Sequence, residues 1–105
     1  MITFVNVFTV NPGYQDAAFE RVQQIYSEVV KEQPGFIDAT LLKSDDGIKV
    51  TAVAHWDNPD RLKGLWDIPR FRNLHDQDFH KAIAKVEPHV YSSNVFITPA
   101  SDETL

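Results

Sequence analysis

Residues Ile2 to Val10 read Ile-Thr-Phe-Val-Asn-Val-Phe-Thr-Val, and the turn signal Asn11-Pro12-Gly13 closes them. Because β-branched and aromatic residues dominate this stretch, it predicts a β-strand. Side chains alternate across a strand, so one face carries Ile2, Phe4, Asn6, Phe8 and Val10, and the other carries Thr3, Val5, Val7 and Thr9. Neither face is polar enough for water, and the strand therefore needs cover on both sides.

Asn6 is the polar exception on the first of these faces. An amide without a hydrogen-bond partner among apolar neighbours would cost about 1–3 kcal/mol. Two interpretations follow. Either Asn6 bonds an adjacent backbone group or water, or its amide belongs to a functional site.

The composition indicates one ordinary globular domain and excludes several kinds of site. The chain has 105 residues, of which 43% are hydrophobic and 24% are charged. It has no cysteine, which excludes disulfides, thiolate nucleophiles and iron–sulfur clusters. The net charge of −5 has no basic cluster within it, which argues against nucleic acid and anionic membranes as partners. No signal peptide or membrane-length apolar run is present, so we expect a cytoplasmic protein.

The rest of the chain alternates between the two hydrophobic periods. A helical stripe between Tyr14 and Gln33 predicts one long amphipathic helix, which Pro34-Gly35 ends. Two strands and a hairpin turn follow, at Phe36 to Ser44 and Ile48 to Trp56. Helical segments are predicted from Arg61 to Leu65, which Asp57 or Asn58 would cap, and from Phe71 through an apolar stripe of Phe79, Ile83 and Val86 to Glu87-Pro88. The last strand is predicted over His89 to Thr98.

This order of elements predicts an α+β fold of the ferredoxin-like, split βαβ kind, with a four-stranded antiparallel sheet. We assign residues 1–98 to this domain and residues 99–105 to a polar C-terminal tail. Both helices would cover the same face of the sheet. A second copy of the chain, packed sheet to sheet about a two-fold axis, is the simplest cover for the other face, so we expect a homodimer.

Several local features together resemble the antibiotic biosynthesis monooxygenase domain family over roughly Ile2 to Phe96. They are Asn6, Asn11-Pro12-Gly13, Gln33-Pro34-Gly35-Phe36, Trp56, Phe71-Arg72-Asn73-Leu74-His75 and Pro88-His89-Val90-Tyr91. The resemblance implies a dimeric α+β barrel with a pocket between helices and sheet in each subunit. It also implies one of two chemistries, because some members oxidise aromatic polyketide intermediates without a cofactor and others bind haem and degrade it.

The haem-degrading members build their site from a first-strand asparagine, a helix tryptophan and a helix histidine. Asn6 matches the first, and Phe71 and His75 fall where that pattern has its phenylalanine and histidine. Trp66 comes one residue late, and Leu65 occupies the expected position. One residue rotates a side chain by about 100° on an α-helix, so the offset weakens the haem interpretation.

Of the histidines, His75 borders the apolar face of its helix, where an imidazole could bind iron or accept a proton near neutral pH. It could equally lie at the rim and bond water. His80 is expected to be exposed, His55 to pack at the dimer face, and His89 to mark the start of a strand. No metal site is predicted, because no two histidines stand four residues apart beside a carboxylate.

The leading functional hypothesis is a cofactor-independent monooxygenase that oxidises a flat aromatic or quinol-type molecule with O2. Its catalytic candidates are Asn6, Trp66 and His75, and its candidate ring contacts are Phe4, Phe8, Tyr26 and Phe71. A haem-binding, haem-degrading monooxygenase is one alternative. A non-catalytic dimeric module that binds a small hydrophobic molecule is the other, and the sequence does not separate it from the first.

Overall fold

A computed structural model describes residues 1–100 of the chain. The four strands are β1 (Ile2–Val10), β2 (Phe36–Lys43), β3 (Lys49–Trp56) and β4 (Ile83–Tyr91). They form one sheet in the order β2-β3-β1-β4, and every neighbouring pair is antiparallel. The predicted ferredoxin-like α+β fold with a four-stranded antiparallel sheet is thus confirmed.

The first helix, α1 (Gln15–Glu28), is shorter than predicted and is followed by a 3-10 turn at Val30–Glu32. Its apolar stripe faces the sheet and buries Ala18, Val22 and Ile25. α1 ends at Glu28, before the β-branched pair Val29-Val30, since β-branched residues disfavour helix. The 3-10 turn ends at Glu32, because Gln33 precedes Pro34 and is extended.

The second helical region consists of three short pieces, α2 (Asp60–Lys63), α3 (Pro69–Asn73) and α4 (Gln77–Ala82), with a 3-10 turn at Gly64–Asp67 after α2. Neither Asp57 nor Asn58 is the N-cap of α2, because Pro59 takes that position. Asn58 Oδ1 accepts the backbone N–H of Asp60 in the turn that leads into the helix. Pro69 begins α3 at the first helical position, where the N–H that proline lacks would have no partner within the helix in any case.

The prediction for the last strand was wrong. The helix does not run on to Pro88, because α4 ends at Ala82 and β4 begins at Ile83. His89 therefore lies within β4, opposite Val5, and does not open the strand. The spacing of the apolar residues after Phe79 fits a helix, but alternate residues of β4 also share one face of the sheet. Pro88 is tolerated inside this strand because β4 is at the edge of the sheet.

Residues 92–100, which include most of the predicted last strand, have no regular secondary structure. Val95, Phe96 and Ile97 are 84%, 86% and 82% exposed, so this segment is not packed against the domain. The predicted tail at 99–105 lies mainly outside the described residues, which end at residue 100.

The two faces of the sheet differ in their cover. On the face below the helices, β3 buries Val50, Ala52, Ala54 and Trp56, none more than 1% exposed. On the opposite face, Val5, Val7 and Val53 stay partly exposed, and no helix of the described chain lies over them.

Between residues 1 and 100 no helix has the length and apolar character that crossing a bilayer requires.

The turn before β2 depends on Gly35, whose φ of +85° is in the left-handed region. Its carbonyl accepts the backbone N–H of Asp57 at 2.8 Å, which holds the chain close to the Asp57–Arg61 ion pair. A Cβ at this position would collide with Asp57 Oδ1 and lie 2.8 Å from Arg61 Nε. Only glycine therefore fits between the ends of β2 and β3.

Candidate active site

A cavity of about 460 Å³ lies between the helices and the covered face of the sheet. Its floor comes from alternate residues of β1 and β4, and its walls come from α1 and the helical pieces between β3 and β4. Every side chain that the sequence proposes for the site lines this cavity, namely Phe4, Asn6, Phe8, Tyr26, Trp66, Phe71 and His75. The structure thus brings them together, and their individual roles remain predictions.

His75 lies in a cage of aromatic rings. Its ring centroid is 4.6 Å from that of Trp66, 4.6 Å from that of Phe71 and 4.5 Å from that of Phe79. These rings shield part of the half-buried imidazole, which also lines the cavity. Phe79 also packs edge-on against Phe8, which connects the cage to the floor of the cavity.

Trp66 lines the mouth of the cavity although it is one residue out of register with the haem-degrading pattern. It is 54% exposed, whereas Leu65 beside it is 8% exposed and lines the cavity too. Both belong to the 3-10 turn after α2, where each residue turns the chain by about 120° and not about 100°. Leu65 and Trp66 therefore do not follow the rotation of an α-helix, and both can line the cavity.

The hydrogen bond of His75 determines which nitrogen can act as a base. Its Nδ1 lies 2.7 Å from the carbonyl oxygen of Phe71. A carbonyl only accepts, so Nδ1 carries the proton and Nε2 has the free lone pair. Burial lowers the pKa of His75, although the Phe71 carbonyl opposes that shift. The neutral imidazole is therefore favoured near neutral pH.

Two buried polar atoms of the cavity lining lack a hydrogen-bond partner in the described chain, Asn6 Oδ1 and Trp56 Nε1. No adjacent backbone group bonds the Asn6 amide oxygen. For this atom, a bond to water or to a ligand remains of the interpretations given above. Trp56 is 1% exposed, and its indole N–H is a donor only. Buried polar groups are normally paired, so both atoms are suited to bond a ligand.

Trp56 also lines the cavity but was not among the predicted site residues, since the sequence analysis used it only as a strand end and as one feature of the family resemblance. The signal was its place on the same strand face as Ala52 and Ala54, whose small side chains leave room above the sheet. Two small residues in succession beside a tryptophan on one strand face are therefore consistent with a cavity above the sheet.

Tyr26 contributes a phenol that stays protonated. Burial raises the pKa of Tyr26 to about 12, so its hydroxyl is not a base at neutral pH. It lines the cavity and is therefore available as a hydrogen-bond donor to a ligand.

The other histidines lie at different places. His80 is exposed, as predicted, and reaches the mouth of the cavity beside Phe79. His55 Nδ1 bonds Asp38 Oδ1 on the uncovered sheet face. Within residues 1–100 no cluster of three or more His, Cys, Asp or Glu side chains is arranged to hold a metal ion.

The sequence of residues 1–77 matches the profile of a known family, described as antibiotic biosynthesis monooxygenase. The chain belongs to this family. Its family match covers β1 to β3 and the helical segment that carries Trp66, Phe71 and His75.

One enzyme with a known name is among the proteins that this family member resembles. Tetracenomycin-F1 monooxygenase of Streptomyces glaucescens is 27% identical over 88 residues, which span 84% of this chain and 77% of the relative. SnoaB of Streptomyces nogalater, described as a cofactor-independent oxygenase, has a TM-score of 0.69 at 24% identity over 93% of this chain and 97% of its own. A Pseudomonas aeruginosa protein gives 0.74 at 14% identity over 89% and 94%. At these identities the solved structures support the fold.

Proposed function

We propose that this family member is a cofactor-independent monooxygenase that oxidises a flat aromatic or quinol-type small molecule with O2. The observation that carries the proposal is a neutral His75, with Nε2 free, inside an aromatic cavity that also holds unpartnered hydrogen-bonding atoms. The monooxygenase relative from Streptomyces glaucescens and the description of SnoaB support the same reaction class.

The walls suit a planar ligand. Phe4, Phe8 and Phe71 present rings to the cavity, and Trp66 lies at its mouth. Aromatic side chains bind flat ring systems by stacking and edge contacts, each worth about 0.5–1.5 kcal/mol beyond the burial of area. Lys63 and His80 lie at the rim of the mostly apolar lining and add a positive charge and a second imidazole to it.

The chemistry begins with a proton transfer. His75 Nε2 accepts a proton from an acidic C–H or O–H of the substrate, which leaves a carbanion or phenolate. The N–H of Trp56 and the O–H of Tyr26 can donate to the oxygen on which that charge is delocalised, and the Asn6 amide oxygen can accept from a substrate hydroxyl. Fixed donors in a cavity that excludes water stabilise a developing anion more than they do in water.

The anion then reduces O2, so no external reductant is needed. One electron passes to O2, the resulting radical pair combines to a carbon-bound peroxide, and the peroxide loses water. When the reacting carbon is a methylene between two rings, the methylene and one molecule of O2 give a ketone and one molecule of water. The carbon supplies all four electrons, and the proton held by His75 leaves with the departing oxygen as water.

The experiment is O2 uptake by dialysed protein with a panel of hydroquinones and ring-flanked methylene compounds. With labelled O2, one oxygen atom should appear in the product and one in water. His75→Gln should reduce kcat by about 10²-fold or more, as expected for loss of a general base, whereas the matched His89→Gln, outside the cavity, should not. If compounds bind with no O2 uptake, the protein is a non-catalytic binding module and the proposal is wrong.

Haem is the second candidate ligand, and one observation favours it. Histidines that bind metals usually donate their other ring N–H to a carbonyl, as His75 does to Phe71. His75 would hold the haem, and bound haem would supply the site for O2 activation. The three rings around the imidazole crowd that position, so we expect weak binding or none. A sharp absorption band at stoichiometric haem, lost in His75→Ala, would reverse this ranking.

We also propose a homodimer formed through the uncovered face of the sheet. This face presents apolar side chains of β1 and β3, including Val5, Val7 and Val53, in register across the pair. Exposed apolar patches of this kind are typical of interfaces between chains. Sedimentation at micromolar concentration should give twice the chain mass, and a stable monomer would refute the dimer.

A further inference from the structure

We infer that Arg21 is a positioning residue for His75, acting through an ion pair with Asp76. The inference rests on the proposed role of His75 as the proton acceptor. Arg21 is on α1 and does not line the cavity that holds His75. Its side chain is nevertheless only 18% exposed and is directed at the turn that carries His75.

One guanidinium nitrogen holds this turn on both sides of His75. Arg21 Nη1 donates to the carbonyl oxygen of Leu74 at 2.8 Å and to Asp76 Oδ1 at 2.6 Å. Leu74 and Asp76 are the residues immediately before and after His75. The backbone at His75 is therefore attached to α1, a helix that buries its apolar stripe in the core.

Asp76 extends the same attachment into α4. Its Oδ1 also accepts the backbone N–H of Phe79 at 3.1 Å, which caps the helix. Phe79 packs on the His75 imidazole, so the cap fixes one ring of the aromatic cage as well. The hydrogen bond from Arg21 is also the largest cause of the lowered pKa of Asp76, which stays a carboxylate at neutral pH.

The consequence for chemistry is the choice of tautomer. The bond from His75 Nδ1 to the Phe71 oxygen spans the end of α3 and the turn, and it forms only while the turn keeps its shape. A histidine in water favours the other tautomer, with the proton on Nε2. A loosened turn would thus put a proton on the nitrogen that has to accept one from the substrate.

The test compares three variants. Arg21→Met removes both hydrogen bonds and keeps most of the side-chain stem, and Arg21→Lys restores a cation. The matched control is Arg70→Met, because Arg70 also bonds α1, through Glu28 at 2.8 Å, and its side chain makes no hydrogen bond to the His75 turn within the described chain. If Arg21→Met does not fold, Asp76→Asn removes the ion pair while keeping an oxygen that can cap α4.

The decisive measurement needs no substrate. Nitrogen-15 chemical shifts of the His75 ring, read at neutral pH, should show Nδ1–H in the wild type and in Arg70→Met. They should show a mixture of tautomers in Arg21→Met or Asp76→Asn, with partial recovery in Arg21→Lys. An unchanged His75 tautomer in Arg21→Met, or in Asp76→Asn if Arg21→Met does not fold, would overturn the inference and leave Arg21 a structural residue.

Turnover gives the second readout if the proposed oxygenation is found. Arg21→Met should lower kcat by about tenfold or more at nearly constant KM, part of the roughly 10²–10⁴-fold that a positioned general base contributes. A changed tautomer in a protein that oxidises nothing would refute the proposed function and support the positioning role. Oxygenase activity with an unchanged tautomer would support the proposed function and refute the positioning role of Arg21.

Discussion

Replacing Asn6 with leucine tests whether this residue belongs to the site or to the structure. Asn6 Oδ1 is buried and unpartnered in the described chain, and such a group destabilises a fold by about 1–3 kcal/mol. Leucine has a similar volume and no polar group, so Asn6→Leu should raise the free energy of unfolding by about 1 kcal/mol. For a domain of this size that corresponds to a rise in Tm of roughly 4–8 °C.

The same substitution should weaken the function. A ligand that donates to the Asn6 oxygen loses one neutral hydrogen bond, worth about 0.5–1.5 kcal/mol, so its affinity should fall about twofold to tenfold. Thermal melting by circular dichroism and a binding or O2-uptake assay on the same samples measure both effects.

Asn11→Leu is the matched control, because Asn11 Nδ2 donates to the carbonyl oxygen of Lys81 at 2.7 Å. Removing this satisfied bond should lower the Tm, opposite in sign to the change at Asn6. If Asn6→Leu lowers the Tm by several degrees while ligand binding is intact, Asn6 is structural and the reasoning from its unpartnered oxygen is refuted.

Three further outcomes are expected. Gly13→Ala should cost about 1–2 kcal/mol of stability in urea titrations, because Gly13, like Gly35, has a φ above +80°. Gly35→Ala should cost about 1–3 kcal/mol more because of its ion-pair neighbours, and equal losses would contradict that contact. The pKa of His75 is lower in the folded protein than in the unfolded chain. As the pH falls below about 6.5, the unfolded chain therefore binds more protons than the folded protein. Stability should therefore fall as the pH drops through that range, and less so in His75→Gln; equal slopes would exclude His75 as the cause. Val53→Asp should halve the mass seen in sedimentation and Lys31→Asp should not, whereas a dimer in both would place the interface elsewhere.

Much of the fold could be predicted because the hydrophobic period changes cleanly along the chain. The period of two in β1 and β3 fits only a strand, and the apolar stripe of α1 fits only a helix. The stretch from Phe79 to Pro88 did not, because its apolar spacing satisfies both a helix and an edge strand. Pairing with β1 decides between them, and a proline at a sheet edge is visible only once the strand order is known.

The candidate site could be predicted as a set of residues but not as a set of atoms. Alternation on β1 was enough to place Phe4, Asn6 and Phe8 together on one face of the strand, which forms part of the cavity floor. The proton on His75 Nδ1 depends on the Phe71 carbonyl oxygen, one helical turn away. Trp56 Nε1 lacks a partner because no acceptor of the described chain lies within hydrogen-bond distance. Such facts arise from tertiary packing, which sequence patterns do not describe.

The exposed segment after β4 bears on the solubility of the protein. From Ser92 to Ala100 it has no charged side chain, and Val95, Phe96 and Ile97 combine high β-propensity with nearly complete exposure. Short uncharged segments of this composition are the usual nuclei of cross-β aggregates, and Pro99 ends the stretch available to such a ladder. We therefore expect the protein to precipitate more readily as its concentration rises. One charged residue at Phe96 is the smallest change that would act as a gatekeeper.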